Sequence, residues 1–280
     1  MKDFKGKTAV VTGAASGIGR GLAERFAEEG MRVVLADIEE APLFEFEERL
    51  LERGVETIAV RTDVRALESI DELRARAVEA FGKVHVLCNN AGVGGGGLTW
   101  ETRNEDWEWV LGVNLWGVIH GVRAFLPGMI AHGEDGHVVN TASMAGMIAG
   151  PFMAPYNVSK FGVVALSETL FHDLRIAGSK IGVSVLCPGW VNTRIGESSR
   201  NRPAELGPAP MMADPNSPLA ARMREMLSSG MAPAELAGIV AEAIREQRFY
   251  ILTHPEMKPG IERRFEAIMA EMEPPTLGFV

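Results

Sequence analysis

Residues 8–19 read TAVVTGAASGIG, and this stretch decides the fold of the chain. Its first part, Thr8–Thr12, is a short apolar and β-branched run typical of a buried strand. After the glycines, apolar residues recur at helical spacing as far as Gly30. Glycines between a strand and a helix let the backbone approach a pyrophosphate, which rests on amide groups at the positive end of the helix dipole. Glycine turns also occur for purely steric reasons, so the next strand matters.

The second predicted strand supplies a carboxylate where a dinucleotide site needs one. Residues 32–36 form another apolar run that ends in Asp37. This residue lies about 20 positions after the glycines, where a carboxylate can bind the adenosine ribose hydroxyls. Strand and helix patterns then keep alternating, which predicts right-handed crossovers and a parallel sheet. We therefore expect an α/β fold with a doubly wound, seven-stranded parallel sheet of Rossmann type and helices on both faces.

The predicted elements fill one domain, residues 1–280, without internal repeats. Predicted strands lie at 8–12, 32–36, 56–60, 84–88, 137–141, 182–187 and 249–252. Beyond the helix that follows the glycines, predicted helices lie near 42–53, 67–81, 105–131, 156–177, 232–247 and 260–272. Five prolines interrupt residues 194–231, which predicts a substrate lid rather than a linker. Residues 255–280 are interpreted as a C-terminal tail, whose apolar end, 277–280, is expected to dock on a neighbouring subunit.

Charge and hydropathy disfavour two classes of partner. The net charge is −9 and no block of Lys or Arg occurs, which argues against nucleic acid and anionic membrane surfaces. The most apolar long stretch, 109–130, contains Asn114, His120 and Arg123, so a membrane span is not expected.

The remaining composition indicates a reducing compartment and a site without metal. Cys88 and Cys187 lie in apolar runs typical of buried, reduced thiols. The six histidines show no metal-ligand spacing. No signal peptide precedes the first strand, so we expect a cytoplasmic protein.

Tyr156, Lys160 and Ser143 form the candidate catalytic group. Tyr156 and Lys160 are four residues apart at the start of a helical pattern and therefore share a helix face. An ammonium beside a phenol favours the phenolate, so that the tyrosine can act as an acid or a base near neutral pH. Ser143 follows a predicted strand and offers a hydroxyl that both donates and accepts. This set suits hydride transfer to or from a carbon–oxygen bond. Tyr-x-x-x-Lys alone also occurs on solvated helices.

Together these motifs resemble the short-chain dehydrogenase/reductase family over about residues 5–252. The matching segments are Thr12–Gly19 for the cofactor turn, Asp63-Val64 for the adenine side, Asn89–Gly92 for the central strand, the group Asn114, Ser143, Tyr156 and Lys160 for catalysis, and Pro188-Gly189 with Val191-Asn192-Thr193 for the nicotinamide carboxamide. No catalytic position departs from the family pattern.

The resemblance implies a role for each matching residue. Tyr156 would be the proton donor and acceptor, and Ser143 would orient the substrate oxygen. Lys160 would bind the nicotinamide ribose and lower the pKa of the tyrosine, and Asn114 would hold a water that links Lys160 to solvent. The implied NAD-binding residues are Gly13, Ser16, Gly17, Ile18, Gly19, Asp37, Asp63, Val64, Asn90, Ala91, Gly92, Tyr156, Lys160, Pro188, Gly189, Val191 and Thr193.

Asp37 favours NAD over NADP as the cofactor. The 2′-phosphate of NADP would share a partly desolvated site with this carboxylate, at a cost of a few kcal/mol. Ile38 stands where an arginine could receive the phosphate, and no basic residue occurs within the glycine turn. Lys2, Lys5 and Lys7 precede the first strand and leave an NADP-preferring carbonyl reductase open as an alternative.

Three further questions stay open from the residues. A non-catalytic dinucleotide-binding regulator, or an epimerase or dehydratase, is possible on the same fold. The predicted helix 105–131 is apolar nearly all round, and with Trp109, Leu115, Trp116 and Phe161 it predicts a homo-oligomer, a tetramer or dimer. Methionines in the lid and near Ser143 indicate either a roomy apolar pocket for an alcohol or ketone substrate or ordinary core packing. Those methionines are Met144, Met147, Met153, Met211, Met212, Met223, Met226 and Met231.

Overall fold

The computed structural model describes residues 1–208 and 218–275. Seven strands occur in this part of the chain: β1 (Thr8–Thr12), β2 (Arg32–Asp37), β3 (Thr57–Arg61), β4 (Val86–Asn89), β5 (Gly136–Thr141), β6 (Ile181–Cys187) and β7 (Tyr250–Leu252). They form one sheet in the order β3-β2-β1-β4-β5-β6-β7, and every neighbouring pair is parallel. The predicted sheet is confirmed.

Helices connect the strands. Over the described residues they are α1 (Gly17–Glu28), α2 (Glu40–Glu52), α3 (Leu67–Phe81), α4 (Asn104–Leu111), α5 (Gly117–Ala131), α6 (Ala154–Ile176), α7 (Pro218–Ser228), α8 (Pro233–Glu246) and α9 (Lys258–Met269). The predicted strands and helices agree with these bounds to within a few residues, apart from two segments described below.

The core lies on both faces of the sheet, as a doubly wound fold requires. On one face, α1, α2 and α8 bury Phe26, Phe46 and Val240. On the other face, α3, α5 and α6 bury Leu73, Phe125 and Leu170. The central strands are buried along their whole length, which is why their sequences are apolar runs rather than alternating patterns.

The cleft for a ligand follows from the strand order. From β1 the chain builds outward to β2 and β3, and then crosses to β4 on the other side of β1. In open α/β sheets, ligands bind at such a reversal, beyond the carboxyl ends of the strands. The glycine turn after β1 and the residues after β4 meet there.

The predicted uninterrupted helix over 105–131 is wrong in one respect. Between α4 and α5, residues Gly112–Trp116 form a π-helical segment, which includes Asn114. Such one-turn insertions widen the backbone spiral locally and often occur at functional sites. Periodicity did not predict it, because a single extra residue in a turn hardly alters the apolar pattern.

The described parts of the segment 194–231, residues 194–208 and 218–231, are more regular than the prolines predict. They contain short 3₁₀ turns at Arg194–Asn201 and Ala204–Leu206, followed by α7. Met211 and Met212 of the predicted lid and the apolar end 277–280 of the predicted tail lie outside the described residues. Met144 is buried in the hydrophobic interior and the partly buried Met231 packs against it, so for these two methionines core packing is the better interpretation.

One helical stretch in the described residues, Asn104–Ala131, is long and apolar enough to cross a membrane by length and composition. The interior helices of soluble proteins pass the same test. Here Trp109, Phe125 and Met129 from this stretch are buried against the rest of the chain.

Candidate active site

The carboxyl end of β5 and the start of α6 bring the predicted catalytic side chains together. Ser143 lies just after the end of β5, while Tyr156 and Lys160 lie in the first turns of α6. The Ser143 hydroxyl makes a hydrogen bond with Tyr156, accepts one from the Ala145 amide at 3.1 Å, and contacts the Pro188 carbonyl at 3.4 Å. Backbone contacts on two sides therefore hold the serine hydroxyl against the phenol.

Tyr156 is protonated at neutral pH in this environment. Burial raises the pKa of its phenol above the ordinary value, and the hydrogen bond with Ser143 only partly offsets that rise. Burial thus acts against the lowering by Lys160 that the resemblance implied, because the loss of solvation disfavours the charged phenolate.

Lys160 is a buried cation next to the tyrosine. Its side chain is 3% exposed, and its ammonium donates to the Thr141 carbonyl at 2.9 Å. The same ammonium lies 5.6 Å from the centre of the Tyr156 ring. Burial lowers the pKa of Lys160 to about 8, since little around the ammonium replaces the lost water.

Asn114 completes the group from the π-helical segment. Its amide oxygen accepts from the Val93 amide at 2.8 Å, and its amide nitrogen donates to the Val93 carbonyl at 3.0 Å. A Cβ placed on Gly92 would lie 3.5 Å from the Asn114 Oδ1 and 3.6 Å from the Lys160 Nζ. The Asn114 amide oxygen and the Lys160 ammonium therefore both lie beside Gly92.

Ser159 is a site residue that the motif search missed. Its buried hydroxyl donates to the Tyr156 carbonyl at 2.7 Å and accepts from the Asn114 amide nitrogen at 3.2 Å. It thus links the first turn of α6 to the π-helical segment. Its place within Tyr-Asn-Val-Ser-Lys was the available signal, because a small hydroxyl residue before Lys160 can bond backward along the helix.

The glycine turn has the backbone geometry that a pyrophosphate site needs. Gly13 and Gly17 have φ values of +70° and +54°, which favour glycine. A Cβ on Gly19 would lie 2.1 Å from the Gly13 carbonyl oxygen, so the turn closes only with glycine there. Ser16 precedes α1 without capping it, so its hydroxyl does not occupy the amides of the first helical turn, which includes Ile18.

Thr12 ties this turn to the end of β4. Its hydroxyl accepts from the Asn90 and Ala91 amides at 2.9 and 3.0 Å, and the Asn90 side chain donates to the Thr12 carbonyl at 2.9 Å. Thr141 in turn contacts the Asn90 side chain at 3.3 Å. The predicted residues Asn90 and Ala91 thus brace the floor of the cleft.

The adenosine side of the cleft carries two carboxylates with different surroundings. The oxygens of Asp37 accept from the Ala15 and Glu39 amides, each at 2.9 Å, while burial raises its pKa despite these bonds. Burial also opposes ionisation of Asp63, but hydrogen bonds from Arg65, one at 2.7 Å, hold its pKa below the ordinary value. Val64 is buried beneath α5 and contributes packing.

The predicted nicotinamide segment follows β6 and is held by a residue that sequence reasoning missed. His254 accepts from the Gly189 amide at 3.0 Å through Nδ1, and its Nε2 donates to the Trp190 carbonyl at 3.0 Å. Its ring also lies so close to Gly189 that an added Cβ would be 2.8 Å from the His254 Cγ. No motif marked this histidine, which follows β7 far along the chain.

The other predicted residues of this segment lie beside the same cleft. Pro188 presents its carbonyl to Ser143, and Val191 is buried and forms an isolated bridge with Met231. A Cβ on Gly17 would lie 2.9 Å from the Thr193 methyl group. Within residues 1–208 and 218–275, no three His, Cys, Asp or Glu side chains are grouped so as to hold a metal ion.

The fold and this site define the class of protein. The profile described as short chain dehydrogenase matches residues 7–204. The chain belongs to the short-chain dehydrogenase/reductase family.

Individual relatives match nearly the whole chain. A CLA biosynthesis dehydrogenase/reductase of Lactiplantibacillus plantarum is 35% identical over 283 residues, covering 98% of this chain and 97% of the relative. A C alpha-dehydrogenase of a Sphingobium species is 32% identical over 275 residues, covering 98% and 89%. The crystal structure of a short-chain dehydrogenase/reductase from Burkholderia phymatum in complex with NAD is 47% identical, with a TM-score of 0.95 and coverage of 100% of both chains.

Proposed function

We propose that this protein transfers a hydride between NAD(H) and the secondary alcohol or ketone group of a fairly apolar small molecule. It is an NAD-dependent oxidoreductase of the short-chain dehydrogenase/reductase family. The observation that carries this function is the convergence of Ser143, Tyr156 and Lys160 beyond the carboxyl end of β5, next to the glycine turn.

The residues around the cleft fit a dinucleotide. The uncapped amides of α1 and the glycine turn suit a pyrophosphate, and the Asp37 carboxylate is oriented by two backbone amides beside that turn. The segment Pro188–Thr193 lies on the other side of the cleft, against Gly17. Bound NAD would supply the hydride acceptor, and NADH the donor.

Tyr156 is the proposed acid and base. Its raised pKa keeps the phenol protonated at neutral pH, so it can donate its proton to a ketone oxygen that Ser143 also contacts. In the direction of alcohol oxidation, the phenolate takes that proton. Lys160, at 5.6 Å from the ring, stabilises the phenolate electrostatically. Asn114 and Ser159 hold the segments that carry these groups in register.

Turnover with a panel of small molecules tests this function. Secondary alcohols and ketones of increasing apolar size should be assayed with NAD(H) and NADP(H), following absorbance of the reduced cofactor. We expect turnover that is faster with NAD(H). Tight binding of NADH without turnover of any compound would instead favour a non-catalytic regulator.

We further propose a homo-oligomer, a dimer or tetramer, in a reducing cytoplasm. Trp116, just before α5, and Val158, within α6, are about half exposed, at 50% and 49%. Trp109 does not support this surface, because it is only 3% exposed and packs under the Arg202 guanidinium. Both cysteines are free and buried, which suits a reducing compartment. Light scattering should give a mass above that of one chain, and a monomer at micromolar concentration would refute the proposal.

A further inference from the structure

The 3₁₀ segment Arg194–Asn201, here called the strap, lies across the proposed cofactor cleft. Thr193, just before the strap, packs against Gly17 of the glycine turn. Within the strap, the Ser198 hydroxyl accepts from the Gly94 amide at 2.9 Å, beyond the end of β4. The strap and the residue before it therefore contact the segments that follow β1 and β4 and form the cleft.

A third attachment lies on the adenosine side, at Glu39. The Arg200 guanidinium contacts the Glu39 Oε1 at 2.5 Å through Nη2 and at 2.7 Å through Nε. The Asn201 amide donates to the same oxygen at 2.7 Å. The Arg194 Nη1 lies 3.7 Å from the other oxygen, but Arg194 pairs more closely with Glu197, to which its Nε donates at 3.0 Å. Burial opposes the charge on Glu39, but these partners hold its pKa below the ordinary value, so it is ionised at neutral pH.

Glu39 stands next to the carboxylate that is proposed to bind the adenosine ribose. It is two residues after Asp37, and its backbone amide donates to the Asp37 Oδ1 at 2.9 Å. The Arg200 guanidinium that Glu39 binds is therefore on the same side of the cleft as Asp37. Arginine is the side chain best suited to a phosphate, which it binds through paired hydrogen bonds.

Resting on the NAD-dependent function above, we propose that Glu39 is a second determinant of cofactor selectivity. Its carboxylate neutralises Arg200, a cation that would otherwise receive the 2′-phosphate of NADP. The chain thus excludes NADP in two ways: Asp37 repels the phosphate, and Glu39 occupies the arginine that could compensate. The position after Asp37, Ile38, does not reveal this, because Arg200 comes from a distant segment.

The test uses Glu39→Gln, which keeps the size of the side chain and an acceptor for Asn201 but removes the charge. Glu29→Gln is a matched control, because Glu29 also binds two arginines, Arg25 and Arg245, each at 2.5 Å, and its side chain is 19% exposed against 17% for Glu39. Dissociation constants for NADH and NADPH are measured by fluorescence titration of each full-length variant. The readout is the ratio of the NADPH constant to the NADH constant.

In Glu39→Gln we expect this ratio to fall about tenfold, equivalent to about 1.4 kcal/mol. Preference for NADH should remain, since Asp37 is intact. The ratio should be unchanged in Glu29→Gln, and adding Arg200→Met to Glu39→Gln should restore most of it.

Three results would overturn the assignment or its basis. An unchanged ratio in Glu39→Gln, with NADH still bound, rejects a role in selectivity. Equal weakening of both cofactors shows that Glu39 only holds the strap, and also rejects it. Failure of the unmodified protein to bind either dinucleotide would refute the proposed function itself.

Discussion

Replacing Lys160 by methionine should make the protein more stable while removing its activity. The lysine is 3% exposed, and the main identified partner of its ammonium is one backbone carbonyl, that of Thr141. Burial lowers the pKa of Lys160 from 10.5 to about 8. A charged group that is harder to ionise in the folded state destabilises that state at neutral pH.

The magnitude follows from the size of the shift. A shift of this size corresponds to about 3 kcal/mol at neutral pH, at roughly 1.4 kcal/mol per pKa unit. Because the folded pKa is depressed, the unfolded chain binds more protons between about pH 8 and pH 10.5, so stability rises with pH in that window. Methionine has no such titration. The stability gap between Lys160→Met and the unmodified protein should therefore shrink by roughly 2 to 3 kcal/mol from pH 7 to pH 10.

Urea unfolding of both proteins at several pH values measures this gap. Only its change with pH is compared, since differences in packing between lysine and methionine do not titrate. Lys180→Met is the control, because Lys180 also donates to a backbone carbonyl, that of Gly133, but is exposed. A gap that stays constant from pH 7 to pH 10 would refute the argument that Lys160 is buried as a strained cation.

Three other predictions concern the site. Tyr156→Phe should lower kcat at least about 10²-fold with little change in NADH affinity, and near-normal turnover of the variant would show that another group moves the proton. In the unmodified protein the rate of alcohol oxidation should rise with pH, because burial raises the pKa of the phenol. Asp37→Ala with Ile38→Arg should narrow or reverse the preference for NAD, which steady-state kcat/KM with both cofactors measures; equal values in the unmodified protein would contradict the role of Asp37. His254→Phe removes the partner of the Gly189 amide and of the Trp190 carbonyl, so we expect a loss of about 2 kcal/mol in unfolding free energy and weaker NADH binding. His254→Gln keeps a donor and an acceptor and should recover part of the stability and part of the NADH affinity. The same NADH affinity in the two variants and the unmodified protein would leave His254 without a positioning role.

Features that depend on neighbouring residues were predictable from the sequence. The buried strand, the positive-φ glycines and the start of α1 all follow from residues 8–19, because strand propensity, turn geometry and helix periodicity act over a few residues. The shared helix face of Tyr156 and Lys160 follows from their spacing of four. The alternation of strands and helices then limits the topology to a parallel sheet with right-handed crossovers.

Features that depend on which distant segments meet were decided only by the tertiary structure. Glu39 and Arg200 are 161 positions apart, and Gly189 and His254 are 65 apart, so no local pattern pairs them. The pKa of Tyr156 is a second case. Sequence spacing indicates the cation beside the phenol, but the loss of water around it depends on every segment packed over the site, and that loss dominates here. Contacts between distant segments, and the burial that these contacts cause, determine the protonation states of the site residues. A short stretch of sequence encodes neither the contacts nor the burial.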